Sequence, residues 1–244
     1  MFLQTRAIVF RQTRYSDTSL VVKLLTEHSG LMSIIVKGAH GPRAKIRASL
    51  FQPLNLLELV IDYKEKSDLH YVREARVEHT YSTVPGDIRK TSILLFLNEL
   101  LYKSIQEEAQ HSELFEFIHD QLVFLDKEEE ITAAYPLLFV IQLTRLLGFF
   151  PHGNYDGHPE TVFILQEGHF SRSREIFEDQ LLSGEECSWF AKVMDIMPEG
   201  HAAVNIPARV RHSLLDKLLL YYRMHLPITG EFKSHHILHE VLQK

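Results

Sequence analysis

Cysteine is almost missing from this chain of 244 residues, with Cys187 standing alone. One thiol cannot close an internal disulfide or complete a four-thiolate zinc site, so a disulfide scaffold is excluded and a reducing, cytoplasmic setting is expected. Uninterrupted apolar runs are also scarce. Ala133–Phe150 is broken by Pro136, Gln142, Thr144 and Arg145, which argues against a membrane span. Gln4 and Arg6 interrupt the start, so no secretory leader is expected. The signatures of several enzyme classes are missing as well. There is no HExxH, no nucleophile-elbow serine, no dinucleotide glycine fingerprint, no Walker phosphate loop and no clustered acidic metal triad. No catalytic residue, cofactor or resident metal is therefore expected.

What is present is ordinary globular material, 45% hydrophobic and 24% charged, with 15 Phe and 9 Tyr to fill a core. The net charge of -6 argues, taken whole, against a nucleic-acid partner. Resolved along the chain it divides. Residues 1–80 hold 12 Lys and Arg against 8 Asp and Glu, whereas residues 81–244 hold 14 against 24. Within residues 1–50, 8 basic residues face only Asp17 and Glu27. Such asymmetry points to two modules with different partners.

Periodicity changes near the same place. Thr5–Arg11, Ser19–Thr26, Leu31–Lys37, Leu54–Tyr63 and Leu69–Val77 read as five strands, the second and third joined by the turn Glu27–Gly30. Five strands in about 80 residues suit an OB-type barrel or an SH3-like one, and the long loop after the third strand favours OB. After Pro85 a helical period takes over. It predicts a helix to about Gln106, one capped by Ser112, a buried one over Ile131–Phe149, then Ser183–Ile196, Pro207–Leu226 and Ser234–Leu242. A short hairpin of Thr161–Leu165 with Gly168–Ser171 interrupts them. The expected fold class is α+β, an N-terminal five-stranded OB-like barrel (1–80) followed by a C-terminal helical domain (81–244) with a short irregular hairpin insertion.

The loop 37–47 places Lys37, Arg43, Lys45 and Arg47 among two Gly and a Pro. It reads either as a mobile basic arm gripping a phosphate backbone or as a solvated basic loop. Arg6, Arg11, Arg14 and Lys23 add charge on or beside the first two strands, and regular alternation would put Arg11 and Val9 on one face, opposite Phe10. Tyr15 beside Arg14 suits base stacking or, equally, covering the barrel end. His235 and His239 have the four-residue spacing that can hold a metal, although an exposed histidine-rich helix is the simpler reading. His152, His158, His169 and Cys187 match no recognised ligand spacing.

Several stretches carry a resemblance. They are Ala7–Arg11, Tyr15–Ser19, Leu25–Gly30, Val36–Ala39, Arg43–Arg47, Leu50–Glu58, Arg145–Pro151 and Gly230–Ser234. Together they resemble the RecO family of bacterial recombination mediators along nearly the whole chain. The resemblance implies an OB-fold followed by a helical domain, and no covalent chemistry. It also implies binding of single- and double-stranded DNA, annealing of complementary strands and contacts with SSB and RecR, with RecA loaded indirectly. The DNA-binding residues it implies are Arg14, Lys37, Arg43, Lys45 and Arg47, with Arg11 and Lys23 beside them. It places a pocket for the SSB tail in the helical domain, for which Arg145 with Phe149 is the candidate pair. Many members carry a four-cysteine zinc module, but the corresponding region here, at about 152–174, has no cysteine. It reads as a metal-free remnant held by Phe163, Leu165 and Phe170. The competing readings are a non-catalytic adaptor whose acidic helical domain docks partners, and a histidine-based metal enzyme.

Overall fold

Strands alternating apolar and polar residues bury one face, and five of them can do so without leaving an open edge only by closing on themselves. The computed structural model describes residues 1–41, 44–64, 67–106, 110–172, 178–196 and 204–243. In it β1 (Phe2–Arg14), β2 (Leu20–Thr26), β3 (Gly30–Val36), β4 (Leu56–Asp62) and β5 (Leu69–His79) form a closed barrel in the order β1-β2-β3-β5-β4. β1 is long enough to pair with β2 along one half and with β4 along the other. The barrel closes through a short parallel pairing of β3 with β5. Val22 and Leu24, Ile34 and Val36, and Leu57, Leu59 and Ile61 fill its interior.

Two local features depart from simple alternation. The β1–β2 register slips between Val9 and Arg11, leaving Phe10 as an extra residue. Val9 therefore lies in the core opposite Leu24, while Arg11 faces outward beside Lys23. The expectation that Val9 and Arg11 share a face fails because a bulge inserts one residue and resets the period. The fourth strand begins at Leu56, two residues after the run suggested, because Leu54 takes a left-handed backbone (φ 61) after a single 3-10 turn at Ala48–Phe51. Its amide donates to Val9 and its carbonyl accepts from the Tyr81 hydroxyl.

The described chain divides into two compact units, Met1–Leu94 with Asn98–Glu129, and Leu95–Leu97 with Glu130–Lys244. The first adds to the barrel most of α1 (Ile88–Ser104), capped by Asp87, and all of α2 (Ser112–Lys127). The cap of α2 is His111, whose Nδ1 accepts from the Leu114 amide at 3.0 Å, so Ser112 is the first helical residue instead. Asp126, 1% exposed, anchors this unit. It accepts from the amides of Ser82, Thr83 and Val84 and pairs with His79 at 3.0 Å. Lys90, 2% exposed, donates to the Thr83 hydroxyl and to the carbonyls of Asp126 and Glu128.

The second unit contains α3 (Tyr135–Leu146), β6 (Val162–Ile164), β7 (His169–Ser171), β8 (Leu181–Leu182), α4 (Gly184–Ile196), α5 (Ala208–His225) and α6 (Ser234–Val241). α3 is shorter than the apolar stretch that predicts it. Pro136 fits only a first helical turn, and Gly148 (φ 83) turns the chain just beyond Leu147. The expected hairpin is present, and β8 joins it as a third strand beside β6. The Tyr222 hydroxyl, wholly buried, donates to the Val140 carbonyl at 2.7 Å and locks α5 to α3. No helix among the described residues is long and apolar enough to cross a membrane.

Burial by itself would raise the Asp126 carboxyl. The amides of Thr83, Ser82 and Val84 and the His79 ring outweigh it and hold the group well below the usual carboxylate range. Such a depressed group stabilises the fold above the unfolded carboxylate range, and that contribution is lost as pH falls towards the folded value. Asp126→Ala should cost about 3 kcal/mol in urea unfolding at pH 7 and flatten the acid limb of the stability profile. A loss under about 0.5 kcal/mol would contradict this role.

Candidate nucleic-acid interface

The outward face of β1-β2-β3-β5 gathers most of the barrel's basic residues. Arg11 and Lys23 are register partners, and Lys23 in turn faces Ser33. Both cations meet Tyr102 of α1. The Arg11 guanidinium donates to its hydroxyl at 3.0 Å, and the Lys23 ammonium lies 5.7 Å from its ring centre. One step along the strands, Val21, Ile35 and Tyr71 are aligned across β2, β3 and β5. Beyond them lies a groove of about 360 Å³. Ile35, Val36, Ile46 and Val72 supply its apolar lining, Tyr71 a wall, and Lys37, Lys64 and Arg73 its cations. The Lys37 ammonium stands 4.4 Å above the Tyr71 ring, a cation–π contact that orients both. Asp62 is the groove's acid. It accepts a hydrogen bond from Arg73 at 2.6 Å, which with the nearby charges of Arg73 and Lys64 holds its carboxyl below the ordinary range, so among the lining residues three cations face one carboxylate.

The loop after β3 is anchored where it is described. Ala39 is 4% exposed within the core, its carbonyl accepts from the Ala48 amide, and Ile46 packs on the barrel. Lys45 and Arg47 are exposed on either side of Ile46, which itself lines the groove. Ala39 and Ile46 thus seat the described part of this basic segment on the barrel. Arg43 lies outside the described residues. Arg14 sits at the β1–β2 tip, bonded to Asp17 and the Ser16 carbonyl, and Tyr15 beside it is 66% exposed. Arg6 is committed elsewhere, to Glu27 and Glu116. A second cleft, on β4 and β5, is lined by Glu58 and Glu74 against a single Arg76, the wrong sign for phosphate.

Lys64, Tyr71 and Arg73 are groove residues that the strand reading did not single out. Their signal was present, since Tyr71 and Arg73 are two apart and share a strand face. Which partner that face would meet depends on the parallel pairing of β5 with β3, and no local pattern encodes it.

In the second unit, Arg145 is exposed and lies 4.0 Å over the ring of Phe150, not Phe149. Phe149 turns instead to Tyr221, Tyr222 and His225, stacking on the last at 5.5 Å. The two residues expected to form one pocket are thus separated, because the break at Gly148 points consecutive rings in different directions.

Residues 152–172 do not fit a zinc ion. Asp156 is saturated by the Thr161 hydroxyl at 2.5 Å, the His158 amide at 3.0 Å and Arg172 at 2.7 Å, which keep its carboxyl far below the ordinary range. The His158 ring accepts from the Glu160 amide, and His169 pairs with Glu167. Burial pushes the Cys187 thiol up to about 11, away from the thiolate a metal requires. Asn154 bonds both backbone groups of Phe170, and Phe163 packs edge-on against Phe170 and Phe190 at 5.0 and 4.8 Å. Phe163, Leu165 and Phe170 are all buried.

Asp156→Ala should therefore release the excursion without unfolding the helices. Amide exchange should accelerate across residues 154–172 and stay slow in α5; uniform protection in the variant would refute the claim.

Comparison with known proteins agrees with this architecture. The family model described as "Recombination protein O N terminal" matches residues 1–81, and "Recombination protein O C terminal" matches residues 85–235. A protein from Bacteroides fragilis named DNA repair protein RecO is 31% identical over 241 residues, covering 99% of both chains. Proteins of the same name from Flavobacterium psychrophilum and Flavobacterium johnsoniae are 31% and 32% identical over 242 residues, each covering 99% of both chains.

Proposed function

The chain belongs to the RecO family of DNA repair proteins, and from that premise we propose that it is a non-catalytic recombination mediator that binds DNA on the outer face of its barrel. The observation that carries this reading is the groove in which Lys37 lies over Tyr71, with Lys64 at its edge and Lys45 and Arg47 nearby. An aromatic wall beside cations suits single strands, because every base has a face to stack and every nucleotide a phosphate to neutralise. Arg11, Lys23 and Arg14 extend the basic face along β1 and β2, giving a second strand somewhere to lie. Neutralising two backbones side by side lowers their mutual repulsion, which is the physical requirement for annealing.

In this reading residues 1–80 form the DNA-binding domain and residues 81–244, with a net charge of -10, receive protein partners. Those partners are SSB and RecR, and through them RecA is placed on SSB-coated strands. Arg145 stacked on Phe150 offers the cation and apolar ring that an acidic tail ending in an apolar residue would need. The adaptor reading differs in one respect, that the barrel would bear no DNA.

The two are separated by fluorescence anisotropy of a labelled single-stranded oligonucleotide between about 50 and 200 mM salt. Lys37→Ala with Lys64→Ala should reduce the log–log salt slope by about 1.4, roughly 0.7 for each phosphate that is no longer neutralised. Tyr71→Ala should cost about 1–3 kcal/mol of affinity with the slope unchanged. Wild-type behaviour in both variants would remove the groove from the interface.

A further inference from the structure

Phe2, the first residue of β1, is 68% exposed. A single exposed ring on a protein surface is ordinary and means nothing by itself. Its neighbours give it meaning. Phe2 is the register partner of Asp62 on β4, and Asp62 is in turn the partner of Tyr71 on β5. The adjacent row, Leu3, Ile61 and Val72, is paired in the same order and packs on the barrel core. Successive side chains of a strand alternate in direction, so the row of Phe2, Asp62 and Tyr71 faces outward. Three neighbouring strands thus present an aromatic, an acid and an aromatic side by side. With strands about 4.8 Å apart, the two rings are rooted roughly 10 Å from one another.

Taking the groove as the single-strand site, the reading on which this rests, we propose that Phe2 is a second base-stacking platform, so that an unpaired strand crosses β5, β4 and β1 with one base on Tyr71 and another on Phe2.

The space between the rings suits the backbone that joins the two bases. The β4–β5 ladder slips between Val60 and Ile61, which leaves Arg73 without a partner in the register. A bulge of this kind re-aims a side chain. The Arg73 guanidinium donates to Asp62 at 2.6 Å, yet the side chain is still 56% exposed. Arginine carries five donors in a fixed fork, so one bond to Asp62 orients the group without exhausting it. Lys64 lines the same groove and Lys37 stands 4.4 Å over the Tyr71 ring, so cations flank the row where phosphates run.

The spacing also selects the form of the nucleic acid. Successive residues of a duplex strand rise by about 3.4 Å, and stacking covers the faces of their bases. Rings rooted roughly three such steps apart reach base faces only where the strand is splayed. The row therefore favours single strands and offers a duplex nothing beyond phosphate contacts. Phenylalanine has no hydrogen-bonding group, so the platform is indifferent to base identity, as annealing of arbitrary sequences requires.

The test uses the full chain and fluorescence anisotropy of a labelled oligonucleotide of mixed sequence, alone and in duplex, at one salt concentration. Phe2→Ala should weaken single-strand binding about tenfold and leave duplex affinity within about twofold. Phe2→Trp should restore single-strand affinity, whereas Phe2→Leu, apolar but not aromatic, should not. Because the ring is exposed, the thermal midpoints of all three variants should stay within about 2 °C of the wild type. Unchanged single-strand affinity in Phe2→Ala, an equal loss for the duplex, or full restoration by Phe2→Leu would each overturn the second platform. If Tyr71→Ala and the paired changes of Lys37 and Lys64 weaken binding while Phe2→Ala does not, the groove stands and Phe2 alone is removed from it. If none of these variants differs from the wild type, the groove fails together with Phe2.

Discussion

The parallel pairing of β3 with β5 is the constraint on which the barrel and its groove both depend. It covers only Ser33 with Leu69, Ile34 with His70 and Ile35 with Tyr71, yet it is the join that closes the sheet. Parallel ladders are slightly weaker per residue than antiparallel ones, so the closure relies on what surrounds it. Ile34 is fully buried on the inner side, and Tyr63 stacks on His70 at 4.7 Å beside it. The same pairing sets Ile35 against Tyr71 on the outer side and brings Lys37, just past the end of β3, over the Tyr71 ring. A one-residue slip would reverse every side chain of β5 and take Tyr71 and Arg73 out of the groove.

Electrostatics then work locally. At physiological ionic strength the Debye length is about 8 Å, so a phosphate at the groove responds to Lys37, Lys64 and the Asp62–Arg73 pair, and hardly to the chain's total of -6. The barrel's other cleft carries Glu58 and Glu74. Opposite signs on two faces of one small barrel restrict where a polyanion can lie. Arg6, which adds to the basic count of the sequence, is neutralised by Glu27 and Glu116 and contributes to packing instead.

Two carboxylates perform work that other proteins assign to metals or disulfides. Asp126 gathers three consecutive backbone amides where the chain leaves the barrel. Asp156 gathers a hydroxyl, an amide and a guanidinium in the excursion after α3. Each satisfies donors that would otherwise be unpaired, and the aromatic cluster of Phe163, Phe170 and Phe190 supplies the apolar burial alongside the second. One cysteine is consistent with this construction, since neither node needs a thiol.

Much of the fold was legible in the chain because strand and helix periods are local properties. All five barrel strands, the helices α1 to α6 and the hairpin can be read from runs of a few residues, and Pro136 and Gly148 already marked the true ends of α3. The candidate site was legible only in part. The basic character of Lys37, Lys45 and Arg47 is compositional, whereas Lys64, Tyr71 and Arg73 join them through a pairing of strands that lie far apart in the chain. The bulge at Phe10 is equally invisible to alternation, and it alone decides that Arg11 faces out beside Lys23. The spacing of His235 and His239 was plain, but not that both side chains would be largely buried beside Asp216 of α5. What the sequence by itself determined was the family, the alternating and helical periods and the charge division. Tertiary structure decided which faces meet, because register and closure depend on pairings between distant segments that no local pattern specifies.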